Sequence, residues 1–509
     1  MNSMKKIMVV TLAFILCPTF INAASIEVKT AEELRKALET ENEIKITKEI
    51  SASSTGLVID KDTTIDLNGY TINIINKKQK NILVEKGATL IIEDTSDSKL
   101  GKIVNNKKYN HYGFSNIYVK GNLILNGGTI EATSSDNQSA IAIYVEGTND
   151  SYASVTMNGG TIKSDNLGIS NYMNGKTKVT VNDGLIETKG ANIKGIDTSL
   201  IDLNITEGNF KTEHTSNLDI YSSNSLLANG IKPVINISGG NFESTNTSTV
   251  NNLNVFIDGT NNITKEQINE YFDIEINNGT YTHGVSKFTK HFPLGMYQVT
   301  ENGSYKLKNI ENVESTLPEE ITRPVIVTIT ENIKNILINS VSTNEELVNK
   351  ISEATKNVTT QIKVEEITNI GEDLKIQINT ILPNDNTLVG YYDIKAIINI
   401  DGIENEINEL DSKIKLSVIL PETLKNVPEG STRKYYITRE HDGIVELIDV
   451  KLNNDKLEFE SDKFSTYAIS YVDSVAVTNP DTGINTNLYI TILVVGLLSV
   501  ITLLKLRNN

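Results

Sequence analysis

Cysteine is almost missing from this 509-residue chain: its one copy is Cys17. That residue falls in an N-terminal segment, residues 1–24, with the layout of a secretory signal. Lys5 and Lys6 give a positive start, residues 7–20 a short apolar core, and Ala23 and Ala24 the small residues a signal peptidase needs. The apolar run is too short for a comfortable membrane span. Leu16 precedes Cys17 where lipidation asks for a small residue, which argues against a lipid anchor. With the signal removed no cysteine remains. Disulfides, thiolate metal sites and cysteine nucleophiles are thereby excluded, and the fold rests on packing and hydrogen bonds.

Basic charge is also scarce, with 47 Lys plus Arg against 64 Asp plus Glu and a formal charge of -17. A nucleic-acid partner is disfavoured, because phosphates call for a concentrated basic face. Tryptophan is absent, which removes the aromatic best suited to a sugar platform. The five histidines are His111, His214, His283, His291 and His441, with no HxxxH or HxH pair among them, so no zinc site is expected. No G-x-S-x-G elbow and no phosphate-binding glycine loop occurs. No cofactor is implied.

What the chain does have is a repeat. Its core lines are LNGGTIEA (125–132), MNGGTIKS (157–164), VNDGLIET (181–188), ITEGNFKT (205–212), ISGGNFES (237–244) and INNGTYTH (276–283). Gly128, Gly160, Gly184, Gly208, Gly240 and Gly279 follow at spacings of 32, 24, 24, 32 and 39. A period near 24 with variable insertions is a solenoid signature, and a strand–glycine turn–strand unit makes it a β-solenoid. One coil is too small to bury its own apolar side chains; stacking coils roughly 4.8 Å apart pairs each strand with those above and below.

Alignment of the lines predicts columns. Ile130, Ile162, Ile186, Phe210, Phe242 and Tyr281 should point inward, and Glu131, Lys163, Glu187, Lys211 and Glu243 outward with alternating sign. Ala132, Ser164, Thr188, Thr212 and Ser244 return inward, as strand alternation requires. Asn126, Asn158 and Asn182 are either a stacked amide ladder or ordinary turn asparagines. Ahead of the repeat, residues 30–39 (TAEELRKALE) predict an amphipathic cap helix with Ala31, Leu34, Ala37 and Leu38 on one face, Thr30 as N-cap and Glu33 at the capping-box position. The pattern resembles right-handed parallel β-helix surface proteins over roughly residues 26–300, and the resemblance implies such a fold for residues 25–310.

A turn-rich stretch from about 300 to 324, with Pro318 and Pro324, reads as a boundary. Period-two alternation resumes at residues 325–329, 394–400, 414–420, 434–438 and 456–460, interrupted by one helix near 344–355. Residues 325–473 therefore predict a β-sandwich-like domain. Residues 462–469 (DKFSTYAI), with Tyr435-Tyr436-Ile437 and His441-Asp442-Gly443 before them, resemble the last strands of the stalk domains that precede the anchor in Firmicutes surface proteins.

The C-terminus holds Asn479-Pro480-Asp481-Thr482-Gly483, then an apolar stretch at 488–504, then Lys505 and Arg507 in the tail 505–509. The apolar stretch is long enough for a short span with its cationic end in the cytoplasm. The pentapeptide resembles the Leu-Pro-x-Thr-Gly sorting signal of Gram-positive cell-wall proteins, with Asn479 in place of the usual leucine. That resemblance implies a sortase transpeptidase as partner, cleavage between Thr482 and Gly483, and a covalent link from Thr482 to peptidoglycan after a transient membrane stage. Pro480 bends and stiffens the substrate, and Gly483 admits close backbone approach.

Parallel β-helices often carry polysaccharide lyases and hydrolases, so catalytic groups matter. Arg35, in the cap helix, is the one arginine in residues 26–300, which leaves an arginine-base lyase mechanism without a residue on the solenoid. Asp165, Asp183, Asp197, Asp202 and Asp219 are available for an acid pair, though solvated loop aspartate is the commoner state. The acidic loop Glu93-Asp94 to Asp97 admits calcium or plain solvation and lacks the EF-hand pattern. Tyr109, Tyr112, Tyr118, Tyr144, Tyr152 and Tyr172 fall mainly between repeat cores, where an exposed row would bind glycan or protein and a buried one would serve packing. The expectation is an all-β, wall-anchored adhesin or structural surface protein without enzymatic activity. A wall-attached polysaccharide lyase or glycoside hydrolase is the alternative.

Overall fold

The computed structural model describes residues 25–475 apart from 54–55, 76–79, 106–113, 134–139, 172–174, 196–199, 248–250, 294, 315–316, 329–332, 343, 353 and 355. The signal (1–24), the pentapeptide 479–483, the apolar stretch 488–504 and the basic tail lie outside the described residues. Among the described residues no helix is long and apolar enough to cross a membrane. The chain divides into two compact units. One comprises the chain up to Ile310 with Glu345–Val358 and Ile400–Gly402; the other comprises Glu311–Asn344, Thr359–Asn399 and the chain from Ile403.

The first unit is built from three long sheets of ten, eleven and eight strands. Along most of their length each strand pairs in parallel with the strand three places later in the chain. The chain thus visits the ten-, eleven- and eight-stranded sheets in turn and returns one rung higher, an order consistent with a parallel β-helix. Alternation within each short strand makes this possible. Thr129–Ala132, Thr161–Ser164 and Leu185–Thr188 each send their second and fourth residues inward. The inward column Ile130, Ile162, Ile186, Phe210, Phe242 and Tyr281 is fully buried, and each member stands opposite the next in the strand register. The small column follows the same rule for Ala132, Ser164, Thr188 and Thr212, which are buried, while Ser244 at its end is half-buried.

The helix Ala31–Thr40 closes the first end. Thr30 Oγ1 accepts from Glu33 N at 3.2 Å, and the Glu33 carboxylate accepts from Lys29 N at 2.7 Å, one residue earlier than a strict capping box. Leu34, Ala37 and Leu38 are buried and Ala31 packs partly against the same core. At the other end, the stretch first taken as a boundary carries an antiparallel hairpin. Met296–Glu301 pairs with Ser304–Asn309, and the latter pairs antiparallel with Thr280–Tyr281. Asn302 and Gly303 turn the hairpin with φ of 50° and 79°; the division between the two units falls just after it, at Ile310, inside the expected boundary stretch, and Pro318 and Pro324 lie beyond the hairpin. The 39-residue gap before Gly279 holds a single coil, lengthened by the inserted helix Lys265–Tyr271 between Leu253–Ile257 and Asp273–Ile276.

The second unit contains a seven-stranded and a four-stranded sheet, mostly antiparallel. Arg439, on the strand Ser431–His441, is buried and ties the two sheets together. It donates to Ser461 Oγ at 2.6 Å on the strand Lys456–Lys463 and pairs with Glu446 and with Asp462, the latter at 3.3 Å. Tyr467 is fully buried, donates to Lys463 O at 2.5 Å and lies 2.7 Å from Ser461 Oγ. This network accounts for the DKFSTYAI segment: Phe464 and Tyr467 are core, and the residues between them turn into the strand Thr466–Val475. Asp442-Gly443, at φ of 51° and 78°, joins Ser431–His441 to the antiparallel Ile444–Ile448. Helix content exceeds expectation. Besides Glu345–Ser352, which belongs to the first unit, the second has Ile333–Ser342 and Glu372–Ile381. The former of these two hides in a β-branched sequence, yet Ile333, Leu337, Ile338 and Val341 are buried at helical spacing.

Candidate functional site

The outer face of the eleven-stranded sheet gathers most of the polar chemistry that the repeat predicts. Glu131, Lys163, Glu187, Lys211 and Glu243 stand opposite one another in register. Lys163 pairs with Glu187 at 3.4 Å, Lys211 with Glu243 at 3.3 Å, and Glu131 turns instead to Lys102 at 3.8 Å. Two residues further along the strands lies a second alternating set, Asp165, Lys189 and Glu213, in which Lys189 meets Asp165 at 2.9 Å. The Asp165 carboxylate holds the Lys189 ammonium above its ordinary value. The two sets form a checkerboard in which sign changes along each strand and from coil to coil. They line a groove of about 350 Å³ together with Thr133, Ser164, Thr188, Thr212 and Thr245.

At the glycine-turn edge of the same sheet lies a second, mainly polar furrow of about 290 Å³, bordered by Asp183, Glu207, Asn209, Asn241 and Asn278. Gly208, Gly240 and Gly279 form its floor, with φ of 112°, 102° and 128° that side chains rarely adopt. Gly239 is required for another reason: a Cβ there would lie 2.1 Å from Thr206 O and 3.1 Å from the Glu207 carboxylate. Beside the furrow runs the amide ladder. Asn158 Nδ2 donates to Asn126 Oδ1 at 2.9 Å, Asn182 Nδ2 to Asn158 Oδ1 at 2.8 Å, and Thr206 Oγ1 to Asn182 Oδ1 at 3.2 Å. The asparagines are thus both turn residues and a ladder.

The tyrosines do not form one row. Tyr144, 9% exposed, lies on the eight-stranded sheet against Tyr118, ring centroids 4.9 Å apart. Tyr152, 46% exposed, lies on the ten-stranded sheet and donates to Asp202 Oδ2 at 2.7 Å. Partial burial and the Asp202 carboxylate push its phenol up to about 12. Tyr109, Tyr112 and Tyr172 lie outside the described residues.

The aspartates also separate. Asp165 follows a strand of the eleven-stranded sheet, Asp202 sits on the ten-stranded sheet and Asp219 on the eight-stranded sheet, while Asp197 lies outside the described residues. Asp219 is buried and accepts from Ser216 Oγ at 2.5 Å; burial raises its carboxyl above the ordinary range, against the pull of Lys194 and His214. Among the described ones, Asp183 borders the turn-edge furrow with Glu207, and Asp165 lines the checkerboard groove with Glu187 and Glu213. Asp94, in the acidic loop, is taken up by backbone: Gly69 N and Ser96 N donate to Oδ1 at 2.8 and 3.2 Å, and Gly101 N to Oδ2 at 2.7 Å. Among the described residues no group of His, Cys, Asp or Glu is placed to hold a metal.

Glu207, Asn209, Asn241 and Asn278 are not among the residues the sequence singles out, although all four stand in the quoted repeat lines. The signal lay in two columns: the position before the key glycine holds Asp183, Glu207 and Asn278 where earlier lines have Gly127 and Gly159, and the position after it holds Asn209 and Asn241. No family model matches the chain, and no curated protein or solved structure matches it either.

Proposed function

We propose that this chain is a Gram-positive surface protein, exported by its signal and fixed to peptidoglycan through Thr482 by a sortase. In this reading the first unit is a right-handed parallel β-helix and the second a β-sandwich-like stalk domain; residues 488–504 hold the chain in the membrane until sorting. The observation that carries it is the order of three features, Asn479-Pro480-Asp481-Thr482-Gly483, an apolar stretch and a basic tail, at one end of a chain with a signal at the other. The absence of cysteine from the mature chain and the self-paired polar faces suit a protein exposed outside the cell. Display of a long, regular polar surface is what an adhesin needs, and the ligand is glycan or protein. Thr482→Ala tests the anchoring. The variant should move from the wall fraction that survives boiling detergent to membrane or medium, and persistence in that fraction sinks the sorting claim.

One observation favours a second reading, a wall-attached glycoside hydrolase. Asp183 and Glu207 border the same furrow on neighbouring coils, the pairing an acid and a base or nucleophile require. Release of new reducing ends from a polysaccharide, abolished by Asp183→Asn or Glu207→Gln, would establish it.

A further inference from the structure

We infer that the furrow at the glycine-turn edge of the eleven-stranded sheet binds an uncharged, hydroxyl-rich polysaccharide chain lying across successive coils. The inference rests on the adhesin reading and gives that reading a place and a ligand class. Three features point to it. The furrow is lined by amide, hydroxyl, carboxylate and backbone groups, with no apolar or aromatic wall and no lysine or arginine, so its partner is recognised by hydrogen bonds. Asp183 and Glu207 bring two acceptors that bond hydroxyl donors strongly and repel uronate, sulfate or phosphate. The lysines of the neighbouring checkerboard do not offset this, because Lys163, Lys189 and Lys211 are each engaged with a carboxylate.

The repeat supplies the geometry. Asn209 and Asn241 stand opposite each other in register on adjacent strands, with Thr280 opposite Asn241 on the next. Two amides and a hydroxyl therefore follow one another at the strand spacing of about 4.8 Å, with Asn241 Nδ2 donating to Glu243 Oε1 at 2.7 Å and its oxygen left to accept. The sugars of an extended β-1,4-linked chain follow one another at a comparable rise, so consecutive residues each meet a polar group. A Cβ on Gly208, Gly240 or Gly279 would press on the buried Val181, Phe210, Phe242 or Tyr281, so glycine is required there and the backbone itself lines the furrow.

The test is calorimetric titration of the full-length chain in detergent with cellohexaose, mannohexaose and hexagalacturonate, at low and high salt. A neutral hexasaccharide should bind with an affinity that changes less than about two-fold with salt, since no counterion is released. Asn209→Ala combined with Asn241→Ala should weaken it by about ten-fold or more, two lost hydrogen bonds, at unchanged melting temperature. Should that variant melt early, Glu207→Gln, exposed in the furrow, is the substitute. Tyr152→Ala, on the ten-stranded sheet, should leave binding intact. Preference for hexagalacturonate overturns the ligand class. Neutral binding that ignores the furrow variants overturns the site and leaves the adhesin reading standing. No binding of any of the three overturns the inference, while wall anchoring is judged separately by Thr482→Ala. Cleavage of a bound neutral chain, lost in Asp183→Asn, supports the site and its ligand but overturns the adhesin reading.

Discussion

Phe210 and Phe242, one coil apart, stack with ring centroids 4.6 Å apart and planes 10° from parallel, and Tyr281 continues the stack at 5.0 Å and 4°. All three are fully buried. Below them the same column holds Ile130, Ile162 and Ile186, so toward this end the core exchanges isoleucine for aromatic rings. Phe242→Ala opens a cavity between two rings and should cost about 3–5 kcal/mol, whereas Phe242→Leu, which keeps most of the volume, should cost much less. Because each coil contacts only its neighbours, limited proteolysis should show early cutting on the coils around residue 242 in the Ala variant. Uniform loss of protection along the first unit would contradict nearest-neighbour stacking.

The alternating column on the outer face is predicted to act through charge alone. Lys163→Glu with Lys211→Glu places carboxylates on successive coils from residue 131 to 243 in one register. Each new like-charge contact should cost ~0.2–1 kcal/mol at the surface. A lower melting temperature is expected at low salt, and high salt should recover most of the difference because these side chains face solvent. A melting temperature equal to that of the unsubstituted protein at low salt would mean that the pairs at 3.3 and 3.4 Å add nothing.

Two asparagine ladders run along the solenoid, and they should differ sharply in what they contribute. The exposed one begins at Asn126. The buried one links Asn192, Asn217 and Asn252, all fully inaccessible: Asn217 Nδ2 donates to Asn192 Oδ1 and Asn252 Nδ2 to Asn217 Oδ1, each at 2.7 Å. Asn217 also donates to Phe210 O and Glu243 O at 3.0 Å, clamping one coil to the next. Asn217→Leu keeps the branched shape but orphans buried groups on both neighbours, at about 1–3 kcal/mol for each. Asn158→Ala in the exposed ladder should stay within about 0.5 kcal/mol, since water replaces the lost partner. Equal effects in a urea titration would refute the distinction.

The contrast between the ladders explains how much of the fold could be read in advance. Period-two alternation and the glycine column made the inward, charged and small columns visible, because those residues stand at fixed offsets from one key position. Asn192, Asn217 and Asn252 have no such reference. They lie beyond the repeat line, separated by 25 and 35 residues, and only the closing of each coil brings them into contact. The earliest coils fall within the expected solenoid but outside its repeat lines for a related reason: near Asn68-Gly69 and Gly101 the turn is held by the Asp66 and Asp94 carboxylates instead of by the Asn-Gly-Gly line. The furrow was half legible. Its residues stand in the quoted lines, but a strand pattern says which side a residue faces and not whether that side is concave.

Asp94 supplies the pH dependence. Burial raises its carboxyl, but donation from Ser96 Oγ at 2.7 Å and from the backbone of Gly101, Gly69 and Ser96 outweighs burial and leaves it below the ordinary 3.8. Asp66 is held low in the same way, by Thr95 and Asn68 with Lys45 at 3.3 Å. A carboxyl more acidic in the folded state stabilises fully above its unfolded value, and that stabilisation disappears as pH falls through the folded value. Asp94→Asn removes the charge and turns an amide donor toward backbone N–H groups. At neutral pH it should cost about 1–3 kcal/mol. Below 3.8 the unsubstituted protein loses the same contribution, so the two melting curves should approach each other as acid is added. Parallel curves through that range would mean that Asp94 holds the turn by shape rather than by charge.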